Sequence, residues 1–454
     1  MERDFYKKLT APYQKEMMQS LKELVAIDST YDESTVDEQN PFGKGVSRAL
    51  KYIEEMAKKD GFIVNNYDNY LVEILTNDLE KNVTIMAHTD IVPVGTGWPQ
   101  SPFELVEKDG TLYARGVADD KGPLMAAYYG LKALRDNNLL GHYQVRFLVG
   151  GNEERGSACM EHYFKTLKKK QPTFGFSPDS AYPLTYAEKG IIGFVVKKNI
   201  DLPQVKHIKG GVASNSVIEK CEVLLKEDLN FIAYLSNNDV DFSYLAKGQE
   251  MVLTFNGVAA HGSVPWMGKN AAMVAVKYLG DYYKNADLQK LYELYSPTRG
   301  EGVNAAANSD NMGTNSLNVG LFSFENGELE MTVNYRHVET VISEQMINNI
   351  KEASKPFEIE LQGISPLLFY PKDCELITTL LKVYQEETGD LKTEIIASGG
   401  GTYAKEADNV VAFGMEYPGY DCKMHGVNEC TEVRFLYESM AIYAHAIIEL
   451  GKKI

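Results

Sequence analysis

At 454 residues the chain is longer than the ~250–300 at which a single core stops growing, so more than one compact unit is expected. An apolar fraction of 44% with 24% charged residues excludes a disordered chain, and a formal charge of -17 argues against a nucleic-acid partner, leaving small peptides or metal cations as better fits. No apolar run approaches the ~20 residues that span a bilayer, and Met1-Glu2-Arg3-Asp4 lacks the apolar stretch of a leader, so a soluble cytoplasmic protein is expected; the five scattered cysteines read as free thiols.

Along the chain, Pro12–Ile27 and Val46–Ala57 carry apolar residues at helical spacing, the second closed by Gly61. Short apolar runs follow at Leu71–Leu75, Val83–Ala87 and Val145–Val149, separated by the helix-like Pro123–Leu134. That alternation predicts an α/β sheet with helices on its faces. From about Ile191 to Leu368 the texture changes to strands such as Met251–Phe255, Leu317–Phe322 and Leu329–Tyr335 among a few helices such as Ala271–Tyr283, as in an α+β insertion. After Pro371 the first texture returns: helix Glu375–Glu387, strand Thr393–Ala397, the cluster Gly399-Gly400-Gly401 and a closing helix over Glu432–Leu450. The expected architecture is therefore a discontinuous α/β domain (1–188 and 369–454), its mixed sheet flanked by helices, interrupted by an inserted α+β domain (189–368).

Chemistry-bearing residues fall at the ends of these elements. His88-Thr89-Asp90 closes an apolar run, so His88 and Asp90 point the same way; the pair suits a metal-ligating imidazole oriented by a carboxylate, and equally a structural histidine beside a capping aspartate. Gly116-Val117-Ala118-Asp119-Asp120-Lys121-Gly122 crowds two acids where a loop enters a helix, which a helix cap with an exposed neighbour would also explain. Glu153-Glu154 sits at a strand's carboxyl end, where open α/β sheets place ligands, and one glutamate can bind metal while its neighbour takes a proton. Asp179 and His425 complete an inventory of two imidazoles and at least three carboxylates, the donor set two divalent cations ~3.5–4 Å apart require.

The strings His88-Thr89-Asp90-Ile91-Val92-Pro93-Val94-Gly95, Ala114-Arg115-Gly116-Val117-Ala118-Asp119-Asp120-Lys121-Gly122 and Asn152-Glu153-Glu154, in that order, resemble the two-metal peptidases that include glutamate carboxypeptidase, aminoacylase-1, succinyl-diaminopimelate desuccinylase and carnosinase. Within that family, Phe176-Ser177-Pro178-Asp179, Glu188-Lys189-Gly190, Pro366-Leu367-Leu368 and Gly399-Gly400-Gly401-Thr402-Tyr403-Ala404 are most similar to PepV-type bacterial dipeptidases. Gly116-Val117-Ala118 and Asn152 depart from common family residues, but neither replaces a ligand.

The resemblance implies that His88, Asp119 and Asp179 hold one metal and Asp119, Glu154 and His425 the other, with the Asp119-Asp120 bond cis. It further implies that Asp90 orients His88, that Glu153 is the general base and acid, and that His261, in Ala260-His261-Gly262, stabilises the oxyanion. Arg336, Asn215 and Gly401 would bind substrate; without the family, Arg336 reads as a strand-surface charge. The implied cofactors are two divalent ions, zinc first, manganese or cobalt as alternatives. His261 and Arg336 fall in the insertion, which the resemblance casts as a lid that closes over substrate and mimics a partner subunit within one chain, implying a monomer. The expected activity is that of a dipeptidase; the alternative is an N-acyl-amino-acid amidohydrolase or carboxypeptidase on the same metals. A non-enzymatic metal-binding or interaction protein would need a missing ligand or base, and none is missing.

Overall fold

The segments Asn82–His88 and Gln144–Gly150 are buried at every position, as strands covered on both faces must be. They lie side by side and parallel in a nine-stranded mixed sheet of the computed structural model, which describes residues 4–454. Across this sheet the order is Ile63–Tyr67, Leu71–Leu75, Gln144–Gly150, Asn82–His88, Phe174–Ser177, Val410–Ala412, Thr185–Glu188 and Leu368–Phe369, with Ile396–Ser398 beside Thr185–Glu188. The central neighbours are parallel and the outer pairs that open the sheet antiparallel. The chain returns to this sheet after a long excursion. One compact unit takes the chain up to Ala187, Leu368–Ala397 and Gly401–Ile454; the other takes Glu188–Leu367 with Ser398–Gly400.

In the first unit, helix Lys121–Asp136 is buried from Lys121 to Leu134 because the closing helix Val433–Gly451, the helices Gln14–Val25 and Phe5–Thr10 and strand Asn82–His88 pack around it. Gly130 permits the approach: a Cβ there would stand 2.7 Å from the Met440 carbonyl oxygen. Phe176 stacks on Tyr443, centroids 5.4 Å apart, which fixes the strand that leads to Asp179. A small antiparallel sheet of Val106–Lys108, Thr111–Tyr113 and Cys430–Glu432 ties the segment before Asp119 to the segment after His425.

The second unit is built on an eight-stranded antiparallel sheet. Its order is Phe242–Lys247, Glu250–Asn256, Lys220–Lys226, Val205–Gly210, Ser316–Glu325, Glu328–His337, Gly190–Asn199 and Glu358–Ser365. Glu250–Asn256 alternates strictly between buried and half-buried, so Met251, Leu253 and Phe255 join a core with Ala272, Val276 and Leu279 of helix Ala271–Tyr282.

Some boundaries differ from the sequence expectation. Pro12–Ile27 is a tight turn, Ala11–Tyr13, followed by helix Gln14–Val25. Strand Thr393–Ala397 shifts to Ile396–Ser398, because the Asp390 carboxylate accepts the backbone N–H groups of Lys392 and Thr393 and holds that stretch in a turn. Ser398–Gly400 groups with the second unit rather than with its flanking chain, since the Ser398 carbonyl accepts the Lys189 N–H and the Gly399 carbonyl accepts from Arg336. All five cysteines are free thiols, and no helix of the described residues is long and apolar enough to cross a membrane.

Candidate metal centre

Three parallel strands deliver their following residues to one edge of the first sheet. His88 ends Asn82–His88, opposite Gly150; Glu153 and Glu154 follow Gln144–Gly150; Asp179 follows Phe174–Ser177. Gly150 has no room for a side chain, since a Cβ would lie 2.3 Å from the Tyr403 hydroxyl. Asp119 arrives on the loop before helix Lys121–Asp136, and its bond to Asp120 is cis. Asp120 stands at the helix start without capping it; its Oδ2 accepts the His88 backbone N–H at 3.0 Å. Lys121, the nearest cation in sequence, turns away to donate to the Leu24 and Ile27 carbonyls at 3.2 and 2.8 Å.

Two groups of donors result, and Asp119 belongs to both: His88 with Asp119 and Asp179, and Asp119 with Glu154 and His425, each with its ligand atoms within 4.8 Å of one another. The imidazole Nε2 of His88 is 3.1 Å from Asp119 Oδ1 and 3.6 Å from Asp179 Oδ2. On the other side, His425 Nε2 is 2.9 Å from Asp119 Oδ2 and 3.3 Å from Glu154 Oε1. The tautomer of His88 follows from its other nitrogen, which is 2.9 Å from the Asp90 carbonyl oxygen. A carbonyl only accepts, so Nδ1 carries a hydrogen, and Nε2 is the nitrogen that faces the carboxylates and would offer its lone pair to a cation bound there.

Electrostatics test whether cations fit here. Burial raises the Glu153 carboxyl well above the usual range, and the charges of Asp179, Glu154 and Asp119 add to that. Burial and Asp119 push Glu154 up to about 7 and raise Asp179 as well. Burial acts against charge on Asp119 too, yet its contacts with His425 and His88 hold it below the ordinary carboxylate range. Burial would lower His88, but contacts with Asp119, Asp179 and Asp90 keep it well above its usual value, and Asp119 and Glu154 lift His425 to about 11. Among the described residues, the ion pairs of Asp119, Asp179 and Glu154 are with these two histidines only. Buried acids with so little cationic compensation, and imidazoles held between them, form a donor set that fits divalent cations.

Sequence reasoning missed part of the frame. The Asp90 carboxylate, expected to orient His88, stands 3.4 Å from His88 Nδ1, farther than the Asp90 carbonyl oxygen, and accepts the backbone N–H groups of Glu153 and Glu154, both at 3.1 Å. Glu429, fully buried, pairs with Arg115 Nη1 at 2.6 Å and accepts the N–H groups of Ala118 and Asp119 at 2.9 and 3.2 Å. Tyr403 accepts the Asn152 N–H at 3.3 Å beneath the acidic turn. Arg115, Glu429 and Tyr403 stand inside or beside the motifs, but pairing across 314 positions leaves no local signal.

The remaining sequence candidates are described within their own units. In the second unit, Asn215 and His261 are exposed and adjacent: the Asn215 carbonyl accepts the Gly262 N–H at 2.6 Å, and His261 Nδ1 is 2.7 Å from Ser263 Oγ. Arg336 is no surface charge; it is 4% exposed, with Nε 2.9 Å from Asn334 Oδ1 and Nη1 donating to the Gly399 carbonyl. Gly401 belongs to the first unit, is exposed, and has the Lys405 ammonium 2.7 Å from where a Cβ would be.

Comparison with known proteins gives a consistent picture. A Staphylococcus epidermidis protein provisionally named a dipeptidase is 31% identical over 467 residues, covering 98% of this chain and 99% of its own. The crystal structure of human carnosine dipeptidase 1 aligns with a TM-score of 0.58 at 15% identity, over 98% of this chain and 99% of that one. A metallo-carboxypeptidase of the M20 family from Sulfolobus solfataricus gives 0.62 at 17% identity, over 97% and 100%. Residues 84–449 match the profile described as peptidase family M20/M25/M40, and the chain belongs to that family.

Proposed function

We propose that this chain is a metal-dependent dipeptidase. The observation that carries the reading is Asp119, whose two carboxylate oxygens face His88 and His425 separately while Glu153 waits beside them as a raised, protonatable carboxyl. His88, Asp119 and Asp179 would hold one divalent cation, and Asp119, Glu154 and His425 the second; zinc suits this imidazole and carboxylate set, with manganese or cobalt next. When bound, such ions polarise a scissile carbonyl and acidify water. Glu153 takes the proton of the attacking water and returns it to the leaving amine. Asp90 holds Glu153 and His88 in register. His261 donates to the developing negative oxygen, and Arg336 binds the free carboxylate of the dipeptide, with Asn215 and Gly401 completing the substrate contacts. We read the protein as a monomer, checked by sedimentation, and as cytoplasmic, in keeping with its free thiols.

The test is a panel of dipeptides and N-acetylated amino acids, assayed with metal-stripped protein re-supplied with zinc, manganese or cobalt. Turnover confined to dipeptides supports the reading; turnover of the acetylated compounds alone replaces it with an amidohydrolase. Glu153→Gln should lower kcat by at least about 10²-fold while both ions stay bound, and an active variant would remove Glu153 from its role.

A further inference from the structure

Buried ion pairs are costly to desolvate and are weak evidence for stability. Arg115 and Glu429 form such a pair, each with a side chain 1% exposed, and neither belongs to a donor group. What distinguishes the pair is where its remaining hydrogen bonds go. Glu429 Oε1 accepts the backbone N–H of Asp119 and of Ala118, gripping the loop that carries the ligand common to both groups. Arg115 Nη2 donates to the carbonyl oxygen of His425 at 3.1 Å, gripping the ligand peculiar to the second group. His425 has a φ of 61°, in the left-handed region that non-glycine residues visit infrequently. The small sheet pairing Cys430 with Tyr113, continued by the Ala114 N–H donating to the Glu429 carbonyl at 3.2 Å, sets the two segments side by side, and the charge pair carries that contact on to Asp119 and His425.

We propose that Arg115 and Glu429 are positioning residues for the second cation, fixing His425 against Asp119 and so setting the affinity of the Asp119–Glu154–His425 group while contributing no ligand. The proposal rests on the two-cation reading above. Its asymmetry is its signature: the arm to the His425 carbonyl bears on the second group alone, and neither Arg115 nor Glu429 bonds to His88 or Asp179 among the described residues.

Arg115→Lys separates the parts, because a lysine keeps a cation beside Glu429 but gives up the second arm. Manganese alone, titrated calorimetrically into the metal-stripped protein, should fill two sites in the native chain. In Arg115→Lys one site should weaken by about 10–100-fold, the range seen when a hydrogen bond behind a metal ligand is lost, while the other stays within about threefold. The metal-free melting midpoint should stay within a few degrees. In His425→Ala only one site should remain, and adding Arg115→Lys should not change its affinity. Two unaltered sites in Arg115→Lys, equal weakening of both, or a further loss in the double variant would each overturn the positioning role. A native chain that takes fewer than two ions would instead remove the two-cation reading, and this role with it.

Discussion

Asp90 Oδ1 accepts the backbone N–H of Glu153 at 3.1 Å, so the residue whose carbonyl accepts from His88 Nδ1 also holds the turn that presents the proposed base. Its second oxygen does the same for Glu154. Asp90→Asn offers one accepting oxygen where two are needed and points an amide N–H at a backbone N–H. The expected result is a loss of about 10–100-fold in kcat/KM with weaker metal binding and an intact fold. Steady-state kinetics beside circular dichroism check this; native kinetics would show that the turn needs no such clamp.

Removal of metal should be visible in stability as well as activity. Burial first, and then the charge of neighbouring carboxylates, Asp119 among them, raises Glu153, Glu154 and Asp179, so the stripped protein keeps in one place acids that ionise only at a cost. Ions that bind only the folded chain add about 2.7 kcal/mol at a free concentration 100-fold above Kd. Scanning calorimetry with a chelator should therefore give a lower Tm that zinc or manganese restores. Identical Tm values in both conditions would count against a cation site here.

A pH effect is expected in the second unit. Lys189 is almost wholly buried; burial first, and then the positive charge of Arg336, bring its ammonium down to about 8. The unfolded chain, with a lysine near its ordinary value of about 10.4, binds more protons than the folded one between those limits. Native stability therefore gains from this residue as pH rises from about 8 towards 10. In Lys189→Met that gain disappears, so denaturant curves collected across the interval should show a shallower dependence for the variant. Parallel dependences would mean that the folded lysine titrates normally.

Much of this organisation was legible in the sequence, for reasons that can be named. Asn82–His88 and Gln144–Gly150 announce themselves as apolar runs that end in acids or imidazole, and the parallel register then brings His88 and the Glu153–Glu154 turn to one edge. Helix Glu375–Thr388 ends where Gly389 adopts a φ of 76°, as a glycine after a helix should. What escaped was non-local or competed with propensity. Thr393 looks like a strand residue, but the Asp390 carboxylate claims its N–H. Arg336 resembles an exposed charge in an alternating strand until the sheet shows it inside, between Ile191 and Ser316. Glu429 reads as one more acid of a loop, and only the folded chain reveals that it accepts from Arg115 and from the Asp119 backbone.

The interrupted path of the first unit bears on how the protein is made. Strand Val410–Ala412 adds in parallel to Phe174–Ser177, and His425 and helix Val433–Gly451 come later still. During synthesis, the early segments must wait through Glu188–Leu367 before their partners leave the ribosome, whereas the second unit has nearly all of its own strands in one continuous stretch. Domains fold as units while the chain emerges, so the insertion should be finished first, and the edge of the first sheet that presents His88, Glu154 and Asp179 should close only after His425 and helix Val433–Gly451 have emerged.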